Sequence, residues 1–400
     1  MNSEGLLVLE LGEYTSIPCP PLSQAQLELL RNRFGQFLDV SRQWDGTVEL
    51  TAKHHVGVIA LDGLRIHIRP KVPLDNLFYM LTYAYDLPEF RAEDAELSRA
   101  DDLFDFVVEI FVGQVNRLLR RGIHRAYVDR EENERYLRGR LLMAQHLRRN
   151  IIAVDRIYQS RNDYTADVLE NQILQQTLSL LSRQSYVNQA LRSQVRQTFG
   201  AFDLVQPKTV QFSDCDLIHF TRLNERYRSP INLARLLLQH LSLEGRHGEH
   251  HFHAFLFDMN QLFERFVARY LQRAFEGMPF LQMEAQPTVW LDSERQERGR
   301  PDLWLRNGRD IHLILDTKYK HFGGTPQEAD RNQMVTYCHA LNAERGMLIY
   351  ASPDLVAYRA DIRGIGIYAA SLPLDGSRQH LQASCDRLAA NAKMLAEKVG

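Results

Sequence analysis

The sequence predicts an α/β protein: a C-terminal α/β/α core, preceded by a helical middle region and a small, mainly β N-terminal domain. Three observations carry that prediction. Residues 257–275 place Phe263, Phe266, Val267, Tyr270 and Leu271 at the spacing of one helical face. Two apolar runs then flank Arg306-Asn307-Gly308-Arg309-Asp310, and the Asn-Gly pair at their junction reads as a hairpin turn. Helical spacing returns over 327–341, followed by a strand at 347–350 and another over 366–369. The order helix, two or three antiparallel strands, helix, strand describes a sandwich of three layers. Val289–Leu291 is expected to start its sheet.

Before that core, residues 5–12 read as a strand, Pro18-Cys19-Pro20-Pro21 as a turn, and 24–38 as a helix through Leu27, Leu30, Phe34 and Leu38. A second hairpin spans Val56–Leu61 and Leu64–Val72 about Asp62-Gly63, with Arg65, His67 and Arg69 alternating onto one face. Residues 1–74 are thus expected to form a separable domain. Residues 75–250 read as helical, with helices at 76–85, 170–181 and 232–243. Between Arg117 and Arg161 stand 12 arginines, no lysine and five acidic residues. Such an excess suits contact with phosphate, and equally a solvated face. The His-rich stretch 247–253 reads as a loop before the last domain, 251–400.

The chain has 400 residues, is 44% hydrophobic and carries a formal charge of −2, so it is no polycation. Its basic residues are 41 arginines and seven lysines; arginine's planar fork suits phosphates and buried ion pairs. Cys19, Cys215, Cys338 and Cys385 are scattered, which excludes a zinc ribbon and argues against a disulfide framework. No apolar run is long enough to span a membrane, and Glu4 with no basic stretch argues against a signal peptide, so a cytoplasmic protein is expected.

The chemistry concentrates at the open end of the C-terminal hairpin. Side chains repeat every two residues along a strand, so Asp316 and Lys318 share a face, and Asp302 starts the paired strand beside them. Two carboxylates offer hard oxygen ligands to Mg2+, and an ammonium can orient water or offset charge on a phosphorane. A surface hairpin bearing a minor ion pair would show the same residues.

Pro301-Asp302 with Asp316-Thr317-Lys318 resembles the PD-(D/E)xK nuclease superfamily. The further order of Glu264 on a helix and Gln333-x-x-x-Tyr337 on another is similar to its RecB-like branch. That resemblance implies Asp302, Asp316 and Glu264 at the metal, with Lys318, Gln333 and Tyr337 at the reacting strand. Blocks outside the last domain sharpen the match. Gly57-Val58-Ile59, Ile68–Val72, Asn76–Leu81, Leu137-Arg138-Gly139-Arg140-Leu141, Asn171-Gln172-Ile173-Leu174 and Asn260–Val267 resemble McrC proteins. Membership would imply the nuclease subunit of a restriction system that cuts DNA carrying 5-methylcytosine, docked through its N-terminal part on an AAA+ GTPase ring, McrB, whose hydrolysis it stimulates. No Gly-Lys dipeptide occurs, so no P-loop of the Gly-x-x-x-x-Gly-Lys type can bind nucleotide in this chain. Two other readings use the same residues: a non-catalytic adaptor of a ring GTPase, and a standalone repair nuclease. Intact Asp302, Asp316 and Lys318 speak against the first, and an adjacent GTPase gene would speak against the second.

Overall fold

The computed structural model describes residues 7–397 except 45, 88–102, 154, 185–187, 242–244, 248–249, 279–280, 293, 309 and 354–356. It divides into two compact units, Met1–Leu97 with Glu244–Gly400, and Ser98–Leu243.

The first unit opens with β1 (Leu7–Gly12), β2 (Ser16–Cys19), α1 (Gln24–Phe34), β3 (Leu38–Arg42), β4 (Val48–Ala52), β5 (His55–Leu61), β6 (Leu64–Arg69) and α2 (Leu74–Ala84). Ser23 and Gln26 form a capping box at the start of α1. The helix is shorter than its spacing suggests, because Leu38 is the first residue of β3 rather than the last of a helix. The β5–β6 hairpin forms about Asp62-Gly63 as expected, and β1 pairs with β6 in parallel. Its basic residues do not make one strip: Arg69 is exposed and bonded to Glu10 at 2.7 Å, whereas Arg65 is buried.

The second unit contains α3 (Leu103–Leu119), β7 (Ala126–Glu134), β8 (Arg140–Leu141), α4 (Met143–Arg149), β9 (Ile157–Thr165), α5 (Leu169–Ser182), α6 (Gln189–Gly200) and α7 (Arg228–His240). The arginine-rich stretch is largely a sheet, β7-β9-β8. Several of its charges are answered locally: Arg130 meets Asp167 and Arg161 meets Asp163, each at 2.5 Å, and Arg135 meets Asp155 at 3.4 Å. Gly139 serves packing, since a Cβ there would stand 2.2 Å from the Ser160 carbonyl. The Gln159 side chain accepts from the Arg138 and Gly139 amides at 2.6 and 2.8 Å. Asn171 is a buried junction, donating to the His124 and Ala166 carbonyls and accepting from the Tyr227 hydroxyl.

The chain then returns to the first unit with β10 (Gly245–His247), β11 (His250–Asp258), α8 (Met259–Phe275), β12 (Gln282–Ala285), β13 (Val289–Trp290), β14 (Arg298–Gly299), β15 (Leu303–Asn307), β16 (Asp310–Lys318), α9 (Glu328–Leu341), β17 (Arg345–Ala351), β18 (Ala357–Ile362), β19 (Ile365–Leu372) and α10 (Arg378–Glu397). The His-rich stretch lies in β10, β11 and the undescribed residues between them, not in one loop. Strand β11 pairs with β5 from Phe252↔Leu61 to Asp258↔His55, giving a five-stranded sheet ordered β1-β6-β5-β11-β10. Gly57 makes that pairing possible: its φ is +135°, and a Cβ would lie 2.0 Å from the Phe255 carbonyl. The N-terminal hairpin and the C-terminal segment therefore share one sheet and one unit. This grouping differs from three consecutive domains, since periodicity reports strands but not their partners.

The second large sheet is ordered β12-β15-β16-β17-β19-β18. The β15–β16 pair is antiparallel, with Leu303 opposite Leu315, and β17 and β19 extend it in parallel. Residues Val289 and Trp290 stand apart from it, in a two-stranded ribbon with β14. Helix α9 covers the face carrying Ile314, Leu348 and Ile367 through Met334, Tyr337 and Cys338. Leu313 and Leu315 point the other way and are equally buried; α8 and α10 pack on these central strands and on each other. Among the described residues no helix is long and apolar enough to cross a membrane.

Candidate active site

The site lies where β16 leaves the sheet beneath α9. Ile314, Asp316 and Lys318 alternate along one face, so the buried apolar row ends in a carboxylate and then an ammonium. Lys318 Nζ stands 2.5 Å from Asp316 Oδ2, and it donates to Gln333 Oε1 of α9 at 3.0 Å. The Gln333 amide in turn donates to the Tyr337 hydroxyl at 3.0 Å. Lysine, glutamine and tyrosine thus form a chain in which each fixes the next. The four-residue step from Gln333 to Tyr337 is what sets them on one helical face. Tyr337 enters by its hydroxyl only, for its ring is buried and packs against Gly299, where a Cβ would come within 2.8 Å of it.

Asp302 precedes β15 and follows Pro301, whose ring fixes the backbone as the strand begins. Its Oδ2 accepts from the Thr317 amide and the Thr317 hydroxyl, both at 2.6 Å, which locks it beside Asp316. Burial raises the Asp302 carboxyl above its ordinary range, against the pull of Thr317, Lys318 and Arg300. Burial, and then repulsion from Asp302, push Asp316 up to about 6. Lys318 feels burial in the opposite sense, yet the combined attraction of Asp316, Asp330 and Asp302 outweighs it and holds the ammonium above its usual value. In the absence of a cation the cluster is one charged lysine under two crowded carboxylates.

Glu264, in the second turn of α8, reaches Asp302 from the other side. The two line a cavity of about 410 Å³ with Gln261, Arg265, Gln286 and Arg300. Burial and the Asp302 charge raise the Glu264 carboxyl as well. The Gln286 side chain donates to Glu264 Oε1 and accepts from Arg300 at 2.5 Å, while its backbone amide donates to the Asp302 carbonyl at 2.7 Å. These links were not legible in the sequence. Gln286 follows β12, a four-residue strand too short to announce itself, and Arg300 stands next to the Pro-Asp pair without any pattern that marks it.

All six residues singled out by sequence therefore fall around one place, in two groups. Asp316, Lys318, Gln333 and Tyr337 are joined by contact, and Glu264 shares a cavity with Asp302, which is bonded to Thr317, the residue between Asp316 and Lys318. Lys320 lies outside both groups, bonded to Gln327 at 2.7 Å and paired with Asp330 at 2.8 Å.

The donor set is made of carboxylate oxygens, the chemistry of a hard divalent cation such as Mg2+. Asp316 Oδ2 is buried and makes no aligned hydrogen bond, its one close neighbour being the lysine. Asp302 is anchored through Oδ2 and Glu264 through Oε1, so neither carboxylate is consumed by its anchor.

A mixed α/β protein with a buried and a half-buried carboxylate and a lysine at a strand end is the class that fold and site define. A family model described as McrBC 5-methylcytosine restriction system component matches residues 50–351, and the chain belongs to that family. It is 23% identical over 322 residues to the Type IV methyl-directed restriction enzyme EcoKMcrBC of Escherichia coli (strain K12), covering 75% of this chain and 92% of that protein. A chain in the half-complex of Thermococcus gammatolerans McrB AAA+ hexamers with bound McrC shares its fold, with a TM-score of 0.59 and 22% identity. That likeness covers 95% of this chain and 100% of the other.

Proposed function

We propose that this chain is the Mg2+-dependent DNA endonuclease subunit of a modification-dependent restriction complex, working with an AAA+ GTPase ring of the McrB kind. The observation that carries the reading is the contact between Lys318 and Asp316 beside the Thr317-locked Asp302. Nothing in the packing calls for a half-buried carboxylate beside a buried one, and their mutual repulsion is a standing cost to the fold. Groups held at such cost are arranged for chemistry.

Asp302 and Asp316 would hold the cation, with Glu264 reaching it directly or through a water. When bound, it supplies Lewis-acid stabilisation of the phosphate and a more acidic water. Thr317 keeps Asp302 in place through two hydrogen bonds, so the carboxylate does not turn away when its charge is answered. Gln333 holds Lys318 by one of its three protons and Asp316 Oδ2 faces the ammonium at 2.5 Å, which leaves one proton for a phosphate oxygen or the attacking water. Tyr337 sets which way the Gln333 amide faces. Water adds to phosphorus as the bond to the leaving oxygen breaks, and the water's proton ends on that oxygen or in solvent. Lys318 offsets the charge that builds between them.

Target choice and nucleotide-driven movement fall to the partner, since the chain has no P-loop of the Gly-x-x-x-x-Gly-Lys type. The test is reconstitution: DNA with 5-methylcytosine, the neighbouring GTPase, GTP and Mg2+. Cutting should need every component. Specific cutting of modified DNA by this chain alone would sink the partnership, and wild-type cutting by Asp316→Ala would sink the site.

A further inference from the structure

A second cluster of ligand atoms lies where strand β11 runs into α8. His55 is the first residue of β5, and its register partner is Asp258, the last of β11. His54 precedes it, and its carbonyl accepts from the Met259 amide at 3.0 Å. One ligand atom from each of His54, His55 and Asp258 lies within 4.8 Å of the other two. Among the described residues these three alone form such a group.

We propose that His54, His55 and Asp258 bind a divalent transition-metal cation of the zinc class, which clamps the start of α8 to β5. Four features support this. The two oxygens of Asp258 have divided roles: Oδ1 caps α8 by accepting from the Asn260 and Gln261 amides at 2.9 and 3.3 Å, and Oδ2 faces His54 Nε2 at 3.7 Å. Tetrahedral ligands about 2.1 Å from a zinc ion stand roughly 3.4 Å from one another, so that pair needs only a small closing movement. His55 Nδ1 is buried and has no hydrogen-bond partner, a cost that a bound cation at the ring would offset. Finally, two imidazoles with one carboxylate form the donor set of zinc rather than of Mg2+, with a fourth position left for water.

The frame is already rigid. Backbone pairing fixes His55 against Asp258, and the His55 ring meets the Phe37 ring edge-on at 4.7 Å and the His54 ring at 4.3 Å. Lys53, next to His54 in the chain, is paired with Asp39 at 2.9 Å and bonded to the Gly35 carbonyl. Because α8 also carries Gln261 and Glu264, the clamp would fix the helix that lines the active-site cavity. The proposal does not depend on what that cavity does.

The experiment is a Zn2+ titration of untagged, EDTA-stripped protein against a chromophoric chelator, with Co2+ absorption as a second readout. Asp302→Ala/Asp316→Ala should bind one equivalent as tightly as the wild type. His54→Gln and His55→Gln keep a polar side chain of similar reach, and each should weaken that binding at least about tenfold. Zn2+ should raise the melting temperature of the wild type and not of His54→Gln. Unchanged affinity in both glutamine variants would overturn the site. So would binding that disappears in Asp302→Ala/Asp316→Ala, which would place the ion at the carboxylates.

Discussion

Asp316→Asn should stabilise the metal-free protein while removing its cleavage. Asp302 and Asp316 crowd one another. The Asp316 carboxyl moves from 3.8 to about 6 on folding, through burial first and Asp302 second. Two pK units correspond to at most about 3 kcal/mol. The attraction of Lys318 is already contained in that shift. The sign follows from the direction. A carboxyl whose pKa is raised in the folded state binds its proton more tightly there, so its contribution is most favourable below pH 3.8 and is lost as pH rises through about 6. Asparagine imitates the protonated form at every pH. In EDTA at pH 8, Asp316→Asn should therefore be the more stable protein, by up to about 3 kcal/mol. The margin should shrink as pH falls from about 6 toward 4, where the wild type takes up its proton. Urea unfolding followed by tryptophan fluorescence reads the relevant unit, since Trp44, Trp290 and Trp304 all belong to it. Mg2+ should narrow the gap by binding the wild type alone. A variant less stable than wild type in EDTA at pH 8 would refute the account of the cluster as mutually repelling charges.

Three further outcomes follow from the same geometry. Asp302→Ala and Lys318→Ala should each lower the cleavage rate at least about 100-fold, by comparison with the loss of a single transition-state donor; rates within a few-fold of wild type would remove them from the site. Tyr337→Phe should cost about 1 kcal/mol of stability or less and lower cleavage by freeing Gln333, whereas Tyr337→Ala should cost roughly 3–5 kcal/mol by opening the core beneath α9. Full cleavage by Tyr337→Phe would take the hydroxyl out of the chain that holds Lys318. Gly57→Ala should fail to give soluble protein, because the new methyl meets the Phe255 carbonyl at 2.0 Å; a normally folded variant, read by its urea midpoint, would disprove that the β5–β11 pairing needs glycine.

Elements with strong local signals were legible in the sequence. Asp62-Gly63 turns β5–β6 as expected, and the β15–β16 hairpin forms one residue later than its Asn-Gly pair suggests, since Asn307 still pairs with Asp310 and Gly308, with φ +60°, enters the turn. The site was legible for a related reason: strand period two and helix period four bring Asp316 to Lys318 and Gln333 to Tyr337 without any tertiary information. What was not legible depends on pairing at long range. Strand β12 alternates polar and apolar over only four residues, none of them buried, which is too short a signal to read, so Gln286 and its link between Glu264 and Arg300 were missed. Strand β11 was obscured by its histidines, and α10 by the mixed polarity of 378–397. The arginine-rich stretch misled in the opposite way, since a count of charges does not show that Arg130 and Arg161 are already paired.

The joint sheet also changes how the partner surface has to be sought. A separable N-terminal domain could be deleted, and loss of GTPase stimulation would then locate the docking surface. In this fold, deletion of residues 1–74 removes β1, β5 and β6, three of the five strands in their sheet, and leaves the inner edge of β11 unpaired. An exposed edge of that kind is an aggregation hazard. Strand β11 also runs directly into α8, whose Asp258 cap and Glu264 stand six residues apart. The deletion would therefore disturb the active-site helix together with any docking surface, and a loss of stimulation could not be assigned to either. Exposed single substitutions avoid the confusion. Arg69→Glu reverses a charge at the surface, breaking only the bond to Glu10, which is worth about 1 kcal/mol or less at an exposed site. If this surface meets the ring, Arg69→Glu should lower GTP turnover by the partner while the urea midpoint stays within that small change. Unaltered turnover would move the docking surface away from β6.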